Sequence, residues 1–427
     1  MHNGQNDQNV IRIEGAIPVD IPIANNKKFL FISKDQRALT HGIHKYPAKF
    51  FPELPRWVIE RFSRKGDLVL DPFMGSGTTN LEASLSGRNS IGVDVDPFSR
   101  LLSSVKTTPL SLKALENAYN DLVERMHEYN ENAVTVYEIP TFPYRENWFK
   151  PYILKELSYI KHCINSLQTS KKITDFFLIC FSSLVRSVSE ADNNCTRTVI
   201  RKKLNKQVKR GMAIELFLKK LHSNLTGMRS LIEARPEGKV IIPENMDARN
   251  MSGIDDDQID LSLTSPPYMN AVDYPRTHQL ELYWLGLAEG SLREMKKQHI
   301  GTEVVTADKY KKLHLTGISS ADNIIAKIYS VDNRRAYIAS KYITDMTANL
   351  KEIHRVLKPG AYYVMVVGNN TVRGENFETW RYMRDAAPEC GYTVVCNFVS
   401  AIINHFIKVP RPERINDDHV LVMQKCK

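Results

Sequence analysis

Cysteine is scarce in this sequence of 427 residues, and its six cysteines are scattered. No two of them form a Cys-x-x-Cys pair, which argues against a zinc site and against a disulfide framework. We therefore predict a protein that binds no metal and that folds in the reducing environment of the cytoplasm.

Long apolar runs are also missing. The longest, at 176–185, is too short to cross a bilayer, for which about 20 residues are needed. The amino-terminal residues are rich in Asn and Gln and contain no apolar signal core. We therefore expect a soluble protein that is not attached to a membrane.

Acidic residues are outnumbered, with 48 Asp and Glu against 58 Lys and Arg. Most of the surplus falls within 111–235, where we count 20 basic and 13 acidic residues, a difference of seven. A solvated helix face would explain a few of these charges, but their concentration favours a phosphate backbone as the partner. The basic residues that we assign to DNA contact in this segment are Arg197, Arg201, Lys202, Lys203, Lys206, Lys209 and Arg210.

Hydrophobic periodicity divides the chain into three parts. Residues 1–110 combine an irregular arm with a strand–turn–helix pattern, and 236–427 return to alternating strands and helices. Between them, 111–235 show apolar residues at helical spacing. This order predicts an α/β protein with a doubly wound, Rossmann-like sheet and a helical insertion. A polar stretch at about 289–335 has no clear period, and we predict a second insert or a mobile loop there.

A glycine turn follows the first strand of the predicted sheet. The strand at 67–70 leads into Asp71-Pro-Phe73-Met-Gly75-Ser-Gly77-Thr78-Thr, then a helix, then a strand at 90–94 that ends on Asp94. Glycines let a ligand approach the backbone closely, and a helix amino terminus offers free N–H groups. A carboxylate at the end of the second strand is suited to the hydroxyls of a ribose.

The spacing of this turn argues against a dinucleotide. It reads Gly-x-Gly-Thr-Thr, so the Gly-x-Gly-x-x-Gly pattern that binds pyrophosphate is incomplete. Asp71 would repel a phosphate but suits a ligand with an amino group. S-adenosylmethionine has an amino group and a ribose and no phosphate, and we predict it as the cofactor.

Two further stretches are candidates for cofactor contact. Asp247 follows a short strand at 239–242, where it either accepts a hydrogen bond from an adenine amine or caps a helix. The loop at 40–50, with Lys49 and Phe50, leads into the strand of the glycine turn. It is either a cofactor-facing loop or an ordinary loop before a helix.

A second turn, Thr264-Ser-Pro-Pro-Tyr268, ends an alternating run at 258–263 that reads as a strand. Two prolines cannot continue a central strand, because they lack the N–H group and fix φ. The result is a rigid turn with a hydroxyl and a carbonyl before it and an aromatic ring after it. The alternative is a proline-terminated strand whose Tyr packs in the core.

Together these stretches resemble the amino-group DNA methyltransferases, and most closely the cytosine-N4 type. The match includes the two turns, Asp94, the lead-in His44-Lys-Tyr-Pro-Ala-Lys-Phe50 and Asp273-Tyr-Pro-Arg276, within about 40–110 and 240–425. The resemblance implies a methyltransferase that uses S-adenosylmethionine and acts on double-stranded DNA, with any cognate restriction endonuclease acting separately. The cofactor-binding residues that we predict are Lys49, Phe50, Asp71, Phe73, Gly75, Gly77, Thr78, Asp94, Asp247 and Thr264.

The resemblance also implies the catalytic roles. Ser265, Pro266, Pro267 and Tyr268 would hold the target base, and Ser265 stands where adenine-specific members have Asp or Asn, which favours cytosine. Arg276 would contact DNA. Three alternatives stay open: an adenine-N6 DNA methyltransferase, an RNA methyltransferase acting on a base amine, and a non-catalytic DNA-binding protein.

Overall fold

The computed structural model describes residues 10–132, 135, 137–201, 203, 205–269, 272–402 and 417–426. Lys202, one of the predicted DNA contacts, lies outside this set. The strands are β1 (Val10–Glu14), β2 (Lys28–Ile32), β3 (Leu68–Asp71), β4 (Asn89–Gly92), β5 (Val240–Ile241), β6 (Ile259–Thr264), β7 (Leu357–Gly368), β8 (Asn370–Val372), β9 (Glu375–Phe377), β10 (Tyr392–Ala401) and β11 (Asp417–Lys425).

Nine of these strands form one sheet in the order β1-β2-β10-β11-β7-β6-β3-β4-β5. Neighbouring strands are parallel except where β11 pairs antiparallel with β10 and with β7. The chain adds β4 and β5 on one side of β3, and then returns to add β6 and β7 on the other side. This reversal is the topological switch point at which open α/β sheets bind ligands, so the predicted fold class is confirmed.

Helices cover the sheet and build the insertion. They are α1 (Glu53–Phe62), α2 (Thr78–Leu85), α3 (Pro97–Thr107), α4 (Leu112–His127), α5 (Arg145–Trp148), α6 (Pro151–Asn165), α7 (Lys171–Val185), α8 (Met212–Ala234), α9 (Tyr274–Thr277), α10 (Gln279–Trp284), α11 (Arg293–Gln298), α12 (Ser319–Val331), α13 (Asn333–Val356) and α14 (Thr379–Ala386). No helix in the described part of the chain is long and apolar enough to cross a bilayer.

The insertion shares its hydrophobic core with the α/β domain. Phe149 and Phe181 come from the inserted segment, and the centroid of each ring lies 5.9 Å from that of Trp284 on α10. The same buried cluster includes Phe98 and Leu102 of α3. Helix α7 packs against α3 and α10, α6 and α8 pack against α7, and α4 packs against α6 and α8.

Of the two alternatives predicted for 289–335, a second insert or a mobile loop, the loop does not describe much of that stretch. It contains α11 and α12, and the buried face of α12 presents Ala321, Ile325 and Ile328. Because most residues of this stretch are polar, the few apolar residues at helical spacing are difficult to recognise in the sequence. The described residues at 298–300, at the end of α11, line a cavity together with residues that follow β3, β4 and β6.

Candidate active site

Asp71 and Thr264 join the two halves of the site. The Thr264 hydroxyl donates a hydrogen bond of 2.6 Å to Oδ1 of Asp71, which also accepts the backbone N–H of Phe73 at 3.1 Å. Burial raises the pKa of Asp71 to about 6, against the effect of these hydrogen bonds. We predicted that both residues bind the cofactor, but neither lines the cavity at the switch point. They connect β3 to β6 instead.

The glycine turn wraps around the carboxylate of Asp94. Gly75, at φ +47°, donates its N–H to Oδ2 of Asp94 at 3.0 Å, and the N–H of Asp96 bonds Oδ1 at 2.8 Å. Burial, and then the negative charge of Asp96, raises the pKa of Asp94 to about 6. Asp94 lines the cavity, and the turn fixes its orientation.

Gly77 and Thr78 support this turn without lining the cavity. Gly77 has a φ of +70° and immediately precedes α2, and a Cβ added to it would lie 2.7 Å from the hydroxyl of Ser103. The hydroxyl of Thr78 accepts a hydrogen bond of 3.1 Å from the buried ammonium of Lys106. Both residues, which we predicted to bind the cofactor, pack the turn against α3 instead.

The cavity at the switch point is acidic and aromatic. Three carboxylates line it, and the described residues around it include no Lys or Arg. Phe73, predicted from the sequence, lines it together with Tyr46 and Tyr274, which were not assigned to the site. The residues that form its wall are Tyr46, Pro72, Phe73, Gly75, Asp94, Val95, Asp96, Asp247, Ala248, Ser265, Pro267, Val272, Tyr274, Gln298, His299 and Ile300.

The lead-in loop reaches the cavity through a different residue than predicted. Lys49 donates its ammonium to the carbonyl of His41 at 2.9 Å, and Phe50 packs in the cluster on the other side of the sheet. Neither lines the cavity. Tyr46 does, with its ring stacked on those of Tyr274 and His278 at centroid distances of 5.6 and 5.1 Å. The sequence feature that could have indicated Tyr46 is its aromatic ring next to Pro47 in this loop.

Asp247 lines the cavity but does not lie at the end of a strand. It lies in a turn beyond β5, where the guanidinium of Arg249 contacts both carboxylate oxygens at 2.9 and 2.5 Å. Arg249 holds the pKa of Asp247 below its usual value although burial acts in the opposite direction. One edge of this carboxylate is therefore occupied by protein.

The Ser-Pro-Pro-Tyr turn stands between this cavity and a second one. Ser265 and Pro267 line the first cavity, and Tyr268 lines the second. Pro266 is buried at the base of the turn. The hydroxyl of Tyr268 donates a hydrogen bond of 2.7 Å to Oδ1 of Asp418 on β11.

The second cavity adjoins the first and carries basic groups. The two share Val272, Tyr274, His299 and Ile300. Arg197 from the insertion, together with Arg276 and Lys296, lines the second cavity, and Lys296 is paired with Asp273 at 2.8 Å. Arg197 and Arg276, both predicted DNA contacts, are thus brought to the same opening.

The other predicted DNA contacts differ in their surroundings. Lys203 and Lys209 are exposed, and exposed Arg201 lies 3.3 Å from the carboxylate of Asp192. Arg210 pairs with Glu131 and lies over the ring of Tyr152. Lys206 is half-buried and donates to the carbonyls of Arg186 and Ala191 at 3.1 and 2.8 Å, which makes it a structural group of its loop.

The loop that carries Arg197 is held from within. The guanidinium of Arg186 donates to the carbonyls of Asp192 at 2.9 Å, of Thr196 and Arg197 at 3.2 Å each, and also of Cys195. The hydroxyl of Thr198 donates to the carbonyl of Thr277 at 2.8 Å. These bonds fix the loop against the segment that contains Arg276.

Comparison with known proteins agrees with this geometry. A family model described as "DNA methylase", of the N6/N4 methyltransferases, matches residues 22–102. The type II methyltransferase M.MvaI of Kocuria varians is 29% identical over 371 residues, which cover 82% of this chain and 81% of that protein. M.BsoBI of Geobacillus stearothermophilus is 27% identical over 406 residues, covering 82% and 78%.

One solved structure to which this chain is similar comes from Methanosarcina mazei. It is a SAM-dependent methyltransferase that is 11% identical, with a TM-score of 0.31 over 86% of this chain and 97% of that chain. The family match lies on the strand and glycine turn at the switch point, and the two type II relatives extend across the insertion and the Ser-Pro-Pro-Tyr turn. These similarities support an amino-group DNA methyltransferase of the N6/N4 family.

Proposed function

We propose that this enzyme transfers a methyl group from S-adenosylmethionine to the exocyclic N4 of a cytosine that is flipped out of duplex DNA. The observation that supports this most strongly is a pair of adjoining cavities, one lined by three carboxylates and the other by three basic and two acidic side chains. The acidic one suits a cationic methyl donor, and the basic one suits a nucleotide with its phosphates. Ser265 and Tyr268 lie on either side of their junction.

The residues of the acidic cavity fit the cofactor. The carboxylate of Asp94 is held by two backbone N–H groups and is placed to accept hydrogen bonds from ribose hydroxyls. The rings of Tyr46 and Phe73 offer flat apolar surface for an adenine. When bound, S-adenosylmethionine supplies an electrophilic methyl group.

The Ser-Pro-Pro-Tyr turn prepares the target amine. This nitrogen is a poor nucleophile, because its lone pair is delocalised into the base. The Ser265 hydroxyl and the Pro266 carbonyl accept hydrogen bonds from the amine, which favours a tetrahedral nitrogen with its lone pair directed at the acidic cavity. Tyr268 stacks on the base, and the prolines hold these groups in place before the reaction. The amine proton leaves to water after the transfer.

Base flipping follows from the position of the site. An exocyclic amine inside a duplex cannot reach the junction of the two cavities, so the nucleotide must leave the stack. Arg197 and Arg276 at the opening of the second cavity are suited to phosphates on either side of the extruded nucleotide. The cationic opening therefore supports DNA as the substrate of the same site.

Cytosine is the favoured target because of Ser265. A hydroxyl is a weaker acceptor than the Asp or Asn of adenine-specific members, and the resemblance to the cytosine-N4 type rests on this position. The second candidate is adenine N6, since the turn can hold any exocyclic amine. An RNA base amine is a third.

One experiment tests all three. The protein is expressed in a host without DNA methylation, modified bases are mapped along the genome, and nucleosides from DNA and RNA are separated by mass spectrometry. We expect N4-methylcytosine within one short sequence, and its absence after Ser265→Ala. The matched control is Ser262→Ala, because that hydroxyl bonds the Leu70 carbonyl inside the sheet. N6-methyladenine in DNA, or a methylated base in RNA only, would contradict the cytosine assignment.

We also propose that the modification protects host DNA within a type II restriction system. The support is the long similarity to two type II methyltransferases. Genomic DNA modified by this enzyme should resist an endonuclease that cuts the mapped sequence. If the modified DNA is cut as fast as unmodified DNA, this role is rejected, but the assigned chemistry is not affected.

A further inference from the structure

Tyr268 is fixed at both ends of its side chain. Its backbone follows two prolines, which restrict φ, and its hydroxyl donates a hydrogen bond of 2.7 Å to Oδ1 of Asp418. Burial, and then the negative charge of Asp418, raises the pKa of Tyr268 well above its usual value, so the hydroxyl stays protonated and acts as the donor. Burial also raises the pKa of Asp418, to about 6, so the carboxylate is ionised at neutral pH and accepts this bond.

The direction of β11 brings Asp418 to this position. This strand runs antiparallel to both β7 and β10, and Asp418 lies near its beginning, opposite Gly368 and Ser400. The start of an antiparallel strand lies at the same edge of the sheet as the ends of its parallel neighbours. A residue distant in sequence therefore reaches the turn that follows β6.

We propose that Asp418 is a positioning residue for the reaction, which holds the ring of Tyr268 at the angle required to stack on the extruded base. The inference rests on the proposed function, in which Tyr268 contacts that base. A stacking ring must keep one orientation while the base enters, and a hydrogen bond to a charged acceptor at its tip removes the rotation that a Phe would retain. The site thereby meets the base with a preorganised surface.

The neighbouring carboxylate provides the control. Asp417 pairs with the ammonium of Lys28 on β2 at 3.1 Å, and both side chains are about one-third exposed, at 33% and 30%. Consecutive residues of a strand point to opposite faces, so Asp417 and Asp418 differ in their surroundings but not in their strand. Replacing Asp417 tests the general effect of removing a carboxylate from the start of β11.

The test compares Asp418→Ala, Asp418→Asn and Tyr268→Phe with Asp417→Ala. Single-turnover methylation is measured on a duplex with the mapped target, cofactor affinity by calorimetry, and stacking by the fluorescence of 2-aminopurine at the target position. Loss of a hydrogen bond to a charged group costs about 1.5–3 kcal/mol, so we expect Asp418→Ala and Tyr268→Phe to slow methyl transfer by roughly 10- to 100-fold.

Asp418→Asn retains an acceptor oxygen and should recover most of the rate. Cofactor affinity should stay within about twofold of wild type in all four variants, because Asp418 does not line the acidic cavity. In Asp418→Ala the 2-aminopurine should be brighter than in the wild-type complex, since it is extruded but less well stacked.

Three outcomes would overturn the proposal. Wild-type rates and quenching in Asp418→Ala would show that the ring needs no support. Equal loss in Asp418→Ala and Asp418→Asn, with cofactor affinity intact, would reject positioning by this hydrogen bond, because the amide keeps an acceptor for the Tyr268 hydroxyl. Parallel losses of cofactor affinity and melting temperature would indicate a structural role alone. Failure of the proposed function would give a different result, because the wild-type enzyme would then methylate no amine in DNA.

Discussion

The 2.6 Å hydrogen bond from the Thr264 hydroxyl to Asp71 connects the ends of β6 and β3, and so connects the Ser-Pro-Pro-Tyr turn to the glycine turn. Both groups are almost fully buried. A buried carboxylate that loses a donor retains its desolvation cost, which makes this bond more important than an exposed one.

Thr264→Val should therefore destabilise the protein by about 1–3 kcal/mol and weaken cofactor binding, because the isosteric side chain cannot donate to Asp71. Thr264→Ser keeps the hydroxyl and serves as the control. Chemical denaturation measures the free energy of unfolding, and calorimetry the cofactor affinity. Equal stability of the Val and Ser variants would show that Asp71 finds another donor.

Gly77→Ala should be more damaging than Gly66→Ala, although both glycines have positive φ, of +70° and +89°. A Cβ at Gly66 meets nothing within 4 Å, whereas at Gly77 it lies 2.7 Å from the Ser103 hydroxyl. The φ strain costs about 1 kcal/mol in each variant, and only Gly77→Ala must also displace α3. Thermal unfolding and cofactor titration should separate them; similar behaviour would mean that α3 adjusts freely.

Cofactor affinity should fall as the pH is lowered through about 6, because protonation of Asp94 removes acceptor capacity for the ribose hydroxyls. The stability effect has the opposite sign. The pKa of Asp94 is raised above 3.8 in the folded protein, so its contribution to stability is complete below pH 3.8 and is lost as the pH rises through about 6. Below about pH 6, protonation of Asp94 should therefore weaken cofactor binding without lowering the free energy of unfolding.

Calorimetry between pH 5 and 8 measures this dependence, and the control is Asp94→Asn, which should bind more weakly with a flat profile near pH 6. A wild-type profile that is itself flat across this range would place the ribose elsewhere in the acidic cavity.

Arg197→Ala and Arg276→Ala should each lower the salt dependence of DNA binding. A phosphate contact contributes about −0.9 to the slope of log K against log salt concentration, so each variant should lose about one unit. Lys206→Ala is the contrast, because its ammonium is bonded to backbone carbonyls, and it should lower stability instead. Fluorescence anisotropy across salt concentrations measures the slope. An unchanged slope in both Arg variants would place DNA on another surface.

The sheet was predictable from the sequence because its strands carry strong alternating or apolar patterns with glycine and proline at their ends. The two turns were predictable for the same reason, and Phe73, Gly75, Asp94, Asp247, Ser265 and Pro267 do line the acidic cavity. Asp71 and Thr264 do not line that cavity, because strand ends that meet in space can bond to each other, and their predicted contact with the cofactor stays a prediction. Sequence proximity to a motif does not show which way a side chain points.

Other site residues carry no local signal. Asp418 reaches Tyr268 only because β11 reverses direction, and a pairing across 150 positions cannot be read from local periodicity. Gln298, His299 and Ile300 line the acidic cavity from a polar segment whose apolar period is short. Tyr46 lies in the loop at 40–50, but the sequence alone does not distinguish it from Lys49 and Phe50 as the residue that faces the cavity.

The shared core around Trp284 constrains how the enzyme can acquire a new sequence preference. Phe149 and Phe181 pack on that indole, so the segment at 111–235 is not an exchangeable cassette. A chimaera that imports this segment from a relative must also import the matching faces of α3 and α10, or it will leave apolar surface unpaired. Divergence should therefore proceed through the surface loop held by Arg186, whose side chains can vary while the packed helices beneath it stay the same.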